Sequence, residues 1–244
     1  MTWSRWLKSG SALARPFSGC GPAAYFSRLA VWAKTGAYVE MNRDSIVACF
    51  HGPGIDPPSL DNGDDVYGWV SQSGKDLPDR ITPAAVLVPL VERHAGTNIV
   101  LTQRTSHLNS HAGQVSFPGG KVEKGDAHAE DTALREAEEE IGLPRRQVDV
   151  VGRLETRTTG SGFKVTPVVG FVDPAAAFVP DPGEVATIFE VPLDFVMDNL
   201  NHKIEIRLIR GVERQFYVLP YQDYYIWGLT ARLLVALSAT LKQK

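Results

Sequence analysis

Apolar positions along this chain fall into short runs of strand length, broken by glycine, proline and acidic turns, with a few stretches of helical spacing among them. Ala84 to Val91 is one such run and Asn98 to Arg104 another. Gly113 to Phe117 alternates and enters a glycine turn, and Val148 to Leu154 and Lys164 to Val172 are valine-rich strands. Glu184 to Val191 predicts a further strand. Lys203 to Ile209 alternates charge with isoleucine or leucine, the pattern of a half-exposed strand, and Gln215 to Leu219 pairs with it across Gly211-Val212-Glu213. Helical spacing runs from Asp126 to Ile141, with Asp126 or Asp131-Thr132 as cap and Gly142, Leu143 and Pro144 as the stop. Shorter helices are predicted within Met41 to Val47 and Leu193 to Asp198, and the chain closes on a helix from Asp223 or Tyr224 to about Leu241. The class is mixed α/β.

The N-terminal third reads differently. Residues 52–80, with Gly52-Pro53-Gly54, Pro57-Pro58 and Asp61-Asn62-Gly63-Asp64-Asp65, have the punctuation of a loop or linker. Residues 1–40 carry Arg5, Lys8, Arg15, Arg28 and Lys34 against one acid, Glu40. That is the profile of a mitochondrial-type presequence, and equally of upstream sequence ahead of a true start at Met41. The expected organisation is a basic extension (1–40), an N-terminal segment with linker (41–81) and a catalytic-sized domain (82–244). From Met41 onward the chain has 20 basic and 27 acidic residues, a net of −7, which argues against nucleic acid as the main partner. Cys20 and Cys49 have no metal-like spacing and read as incidental thiols. No apolar run has bilayer length; the best, Ile226 to Leu237, is interrupted by Arg232, so no membrane partner is expected.

Candidate chemistry concentrates in one helix. Glu136, Glu139 and Glu140 stand at i, i+3 and i+4, which places three carboxylates on one face. Like charges at these offsets repel by roughly 0.2–0.5 kcal/mol per pair. They also lie in the last turns, where the helix dipole favours cations. A divalent ion bound by carboxylate oxygens would offset both penalties; a solvated acidic face is the other reading. Upstream, Phe117-Pro118-Gly119-Gly120 offers a rigid turn and then two residues whose backbone can approach an ion or phosphate. Arg135 is placed to hold a carboxylate through a two-pronged hydrogen bond. Together these predict a loop-helix metal cradle.

Gly120 to Leu143, GKVEKGDAHAEDTALREAEEEIGL, resembles the Nudix box, whose core Arg-Glu-apolar-x-Glu-Glu-x-Gly-apolar is matched by Arg135 to Leu143. The loop is one residue longer than usual and carries Asp126 where a glutamate is common, so the pairing of that acid with Arg135 is the open point of the likeness. Leu101 to Leu108 leading into His111-Ala112-Gly113-Gln114-Val115-Ser116-Phe117-Pro118-Gly119-Gly120 is similar to the extra signature of Nudix hydrolases acting on coenzyme A. Asn109 departs from the basic residue common after the leucine. Ser161-Gly162-Phe163, Val165 to Gly170 and Ile226-Trp227-Gly228 agree, and the resemblance covers roughly residues 82–236.

The resemblance implies an α/β/α sandwich with a mixed sheet, a metal-binding loop-helix and a C-terminal helix. It implies Mg²⁺ or Mn²⁺ held by Glu136, Glu139, Glu140 and the Gly119 carbonyl, with Arg135 supporting them. The implied reaction is coenzyme A plus water to 3′,5′-ADP and 4′-phosphopantetheine, with acyl or oxidised coenzyme A as related substrates. ADP-ribose or a dinucleotide is the alternative within the family, and a non-catalytic nucleotide-binding module the alternative outside catalysis. A general base is expected from a carboxylate near the metals, Glu136 or Glu184, the latter equally readable as a strand-edge surface residue. Arg104 is a candidate for phosphate contact or a surface residue. His111 is a loop hydrogen-bonding residue rather than a ligand, since hard ions prefer oxygen. Phe163 and Lys164 are candidates for the adenosine 3′-phosphate or the pantetheine arm. The protein is expected as a monomer or homodimer in a bacterial cytoplasm, or in an organelle if residues 1–40 are a presequence.

Overall fold

The computed structural model describes residues 41–51, 66–67, 81–107, 112–209 and 212–243. The expected basic extension, most of the linker, His111 and Cys20 lie outside the described residues. The elements run α1 (Arg43–Phe50), β1 (Val66–Tyr67), β2 (Thr82–Arg93), β3 (Gly96–Arg104), β4 (Val115–Ser116), β5 (Gly119–Lys121), α2 (Ala129–Ile141), β6 (Val148–Arg153), β7 (Arg157–Thr159), β8 (Phe163–Val172), β9 (Val185–Pro192), α3 (Leu193–Met197), β10 (Lys203–Ile209), β11 (Val212–Tyr221), β12 (Tyr224–Trp227) and α4 (Gly228–Leu241).

A mixed sheet is built around β2 and β8, which run parallel and pair from Thr82–Phe163 to Val91–Val172. Both strands are buried on two faces, and so they read as near-continuous apolar runs instead of alternating ones. β3 pairs antiparallel with β2, β9 with β3, and β6 and β7 with β8. Alternation along β2 then divides the core. Val88 and Leu90 face one cluster with Ile46 and Phe50 of α1, Val196 of α3 and Leu233, Leu234 and Leu237 of α4. Ala85, Leu87 and Val91 face a second cluster with Ala133, Leu134, Ala137 and Ile141 of α2. Helices on both faces of a mixed sheet are the expected sandwich.

Three expectations change. α2 begins at Ala129 with His128 as its cap, because Asp131 reaches back to the backbone N–H of Ala127 (3.2 Å) and of His128 (3.0 Å); Asp126 is spent elsewhere. The final helix begins at Gly228, since Tyr224–Trp227 forms a strand against β11, with Gln222 in the left-handed region (φ 51°) at the turn. The alternation expected over Gly113 to Phe117 yields a strand only at Val115–Ser116, and Gly119–Lys121 forms a strand of its own against the start of β2. Ahead of the boundary expected at residue 82, α1 packs on the sheet. Phe50 packs on Gly152, where a Cβ would lie 2.8 Å from Phe50 Cβ, and Arg43 stacks over Phe171 at 4.6 Å. Cys49 is buried in that helix, its thiol donating to the Ser45 carbonyl at 3.2 Å. Among the described residues no helix is long and apolar enough to cross a membrane.

Leu90 is fully buried between β3, β8 and the α4 side of the core. Leu90→Ala is expected to destabilise the fold by about 2–5 kcal/mol through lost burial and a residual cavity, read as a lower urea midpoint with an unchanged slope.

Candidate active site

α2 carries its acids into three environments. Glu139 is largely exposed, Glu136 is half-buried and Glu140 is buried at 4% exposure. The sequence placed the three on one face; the tertiary structure ranks them by depth. Among the described residues, no three acidic, histidine or cysteine side chains already converge closely enough to enclose an ion.

Arg135 organises this end of the helix. Its guanidinium donates to Asp126 Oδ2 (3.1 Å), Glu136 Oε1 (2.9 Å), Glu139 Oε2 (3.2 Å) and the Lys121 carbonyl (3.0 Å). Asp126 also accepts from Thr132 Oγ1 (2.8 Å) and the Glu123 N–H (2.9 Å). These donors, Arg135 foremost, hold the Asp126 carboxyl down at about 2. The aspartate of the lengthened loop thus does pair with Arg135.

Glycine is required where loop meets helix. A Cβ on Gly120 would collide with the Glu136 carboxylate, and one on Gly119 with the Ala85 carbonyl and Val86. The Gly119 backbone also hydrogen-bonds Glu140. Arg104, at the end of β3, stands 3.7 Å from Glu140 and 3.4 Å from Glu184. Glu184 lies in the turn before β9, not within the strand as expected. That turn is tied down by Thr105 N–H to the Glu184 carbonyl (2.9 Å) and Asp181 N–H to the Glu140 carbonyl (2.9 Å). Five carboxylates, Asp126, Glu136, Glu139, Glu140 and Glu184, and two arginines are thus paired around the junction of the glycine turn and α2.

Burial dominates the electrostatics. It pushes the Glu140 carboxyl up to about 8; Arg104 opposes the rise, and the Glu184 and Glu136 charges add to it. Glu136 is raised as well, chiefly by burial, against the pull of Arg135. Glu140 Oε2 is buried without a hydrogen-bond partner. A buried oxygen lacking a donor, beside two further carboxylates, suits a hard divalent cation with oxygen ligands.

Beside the cluster opens a cavity of about 750 Å³ whose wall includes Arg104, Gly119 and Gly120. Its other walls come from β2 and β8 (Ala84, Val86, Phe163, Val165), the turn Thr159 to Ser161, and Arg214, Phe216 and Trp227 of the small second sheet. Phe163 lines this space with Lys121 Nζ 5.8 Å from its ring. Lys164 is not among the lining residues: alternation along β8 turns it to the opposite face. Arg214 and Phe216 were not singled out in the sequence. Phe216 fell within the strand expected over Gln215 to Leu219, whereas Arg214 lay just before it, and nothing local said which face would meet the cavity.

A family model described as NUDIX domain matches residues 81–210. An uncharacterized Nudix hydrolase, NudL, of Photorhabdus laumondii is 42% identical over 161 residues, covering 66% of this chain and 85% of the relative. Its namesake in Yersinia enterocolitica is 40% identical over 184 residues, 68% of this chain and 93% of that one. Among solved structures, the Nudix hydrolase RenU of M. smegmatis aligns over 46% of this chain and 71% of its own at 23% identity, with a TM-score of 0.40.

The raised carboxyl of Glu140 fixes the sign of a pH effect. The folded chain keeps a proton that the unfolded chain releases near the ordinary value of 4.5, so between that pH and about 8 stability falls as pH rises. In EDTA, Glu140→Gln is expected to melt higher than the parent at pH 8 and to flatten the decline. Adding Mn²⁺ should raise the parent's melting temperature more at pH 8 than at pH 6, and the variant's little. Differential scanning calorimetry across pH checks both.

Proposed function

Given that this chain belongs to the Nudix hydrolase family, we propose that it hydrolyses the pyrophosphate bond of coenzyme A, giving 3′,5′-ADP and 4′-phosphopantetheine. Enzymes of this family generally use divalent metal ions and act on small nucleotide-linked substrates. The observation that carries the reading is the meeting of a carboxylate cluster with a large, mainly apolar cavity at Gly119–Gly120. A diphosphate needs its charge neutralised, and the thin pantetheine arm and the adenine need apolar and aromatic walls. The motif from Leu101 to Gly120 supports coenzyme A over other diphosphates.

Mg²⁺ or Mn²⁺ would be held by Glu136, Glu139, Glu140 and the Gly119 carbonyl, and would supply charge neutralisation and a more acidic water. The residues themselves have separable tasks. Arg135 keeps Glu136 and Glu139 oriented while its bonds to Asp126 and the Lys121 carbonyl hold the loop. Arg104 lies between the cavity and the acids, where a guanidinium can exchange a carboxylate partner for a phosphoryl oxygen. Glu184, half exposed at the mouth of the cluster, takes the proton of the attacking water as general base. The water oxygen bonds to one phosphorus, the bridging P–O bond breaks, and the bridge oxygen leaves with the other phosphate. Phe163 packs against the substrate's apolar part. The bacterial origin of the relatives favours a bacterial cytoplasmic enzyme over an organellar one.

Product analysis by liquid chromatography and mass spectrometry tests this directly, with coenzyme A, ADP-ribose and a dinucleotide polyphosphate as substrates and Mg²⁺, Mn²⁺ or EDTA present. Metal-dependent cleavage is expected with coenzyme A clearly preferred; preference for the others would discard the coenzyme A reading while keeping the hydrolase. Glu139→Gln should reduce turnover at least about a hundredfold with folding nearly intact, because an exposed carboxylate ligand is lost. Gly120→Ala should also abolish most turnover, since its methyl group displaces the Glu136 carboxylate. Near-parental rates in either folded variant would remove the corresponding assignment.

A further inference from the structure

β10 is an edge strand: it pairs with β11, and among the described residues nothing pairs with its outer side. Alternation sorts its residues by face. Arg207 stacks over Tyr225 and Trp227 at 5.5 and 5.2 Å and bonds Glu205 at 3.1 Å, and Glu205 accepts from the Tyr225 hydroxyl at 2.6 Å. Ile204, Ile206 and Leu208 occupy the opposite face and are 59%, 60% and 71% exposed. The charged residues of this strand thus sit on the face that is already engaged. The apolar face carries none of the outward lysines, prolines or bulges that blunt an edge.

The backbone has the same parity. Tyr221 and Tyr224 flank the two-residue turn Gln222-Asp223, and hydrogen-bonded pairs alternate with non-bonded ones back from that turn. β11 therefore turns the N–H and C=O groups of Arg214, Phe216 and Val218 toward β10, where Arg207, Glu205 and Lys203 meet them. Ile204, Ile206 and Leu208 are left with their backbone groups aimed at the open edge. Apolar side chains and unpaired backbone groups thus belong to the same three residues.

We propose that this edge pairs with the same edge of a second copy, antiparallel, about a two-fold axis through Ile206. The register follows from self-complementarity. On that axis Ile206 meets its own copy, Ile204 meets the partner's Leu208, and Glu205 meets the partner's Arg207, so the central cross-strand pairs are apolar or of opposite charge, and only the terminal Lys203 falls opposite an apolar residue. An axis on Glu205 sets Glu205 against itself and Lys203 against the partner's Arg207, with like charges directly opposite. An axis on Ile204 leaves Ile206 and Leu208 beyond the start of the partner strand. The paired sheets become continuous across the two copies. The dimer also steadies β11, which supplies Arg214 and Phe216 to the cavity wall.

Such a strip is smaller than a standard interface, so the dimer is reversible on dilution. Sedimentation velocity of the full chain over a wide concentration series should show a monomer–dimer equilibrium. Ile206→Lys puts two ammonium groups on the axis and should raise the dissociation constant at least about tenfold. Circular dichroism is expected to be unchanged, as Ile206 is largely exposed. Glu205→Arg should weaken the dimer, and adding Arg207→Glu should restore it, a rescue that non-specific stickiness of an apolar stripe does not give. A chain that stays monomeric throughout, a dimer indifferent to Ile206→Lys, or a charge swap without rescue would each overturn the proposal.

Discussion

The guanidinium of Arg135 ties three parts of the site to one point. It holds Asp126 and the Lys121 carbonyl on the loop side, and Glu136 and Glu139 on the helix side. Without it, the loop and α2 would be joined by the Thr132–Asp126 and Gly119–Glu140 hydrogen bonds, and two carboxylates would repel at short range. With it, the Glu136 carboxylate lies where a side chain on Gly120 would otherwise be. An arginine suits this task because its planar fork offers several donors in fixed directions, whereas a lysine would offer one compact charge.

Beneath that clamp the energetics run against stability. Moving a carboxylate out of water is worth several kcal/mol of penalty even after relaxation. Glu140 meets only part of that through Arg104 and the Gly119 backbone, and keeps one oxygen unbonded. Its response is to hold its proton to about pH 8. A divalent cation bound there, as proposed, would displace this proton and draw on the neighbouring acids, so the destabilisation of the cluster and the proposed metal site would have one origin.

The second, three-stranded sheet has a different role. It lends Leu219 and Ile226 to the central core and also closes the cavity, with Phe216 against Trp227 at 6.0 Å and Arg214 beside them. Its inner strand is anchored through Val218 and Leu219, both buried, while its outer strand stays open. The carboxylate cluster therefore rests on the central sheet and α2, while part of the cavity wall comes from a peripheral ribbon.

Sequence alone determined the long strands of the central sheet, β2, β3, β6, β8 and β9, the carboxylate helix with its glycine stop, and the family to which both belong. Each of these rests on local spacing: periods of 2 or 3.6, a left-handed glycine at Gly142, and acids at i, i+3 and i+4. Whether Asp126 would reach Arg135 was not decided by spacing, because the answer depends on how a turn absorbs an added residue. That Glu140 is buried while Glu139 is exposed was also undecided: one helix face spans both depths, and only the docking of β9's leading turn across its end separates them. Tertiary packing likewise turned Lys164 away from the cavity and brought Arg214 and Phe216 into it, since the alternation of a strand names two faces without saying what each will meet.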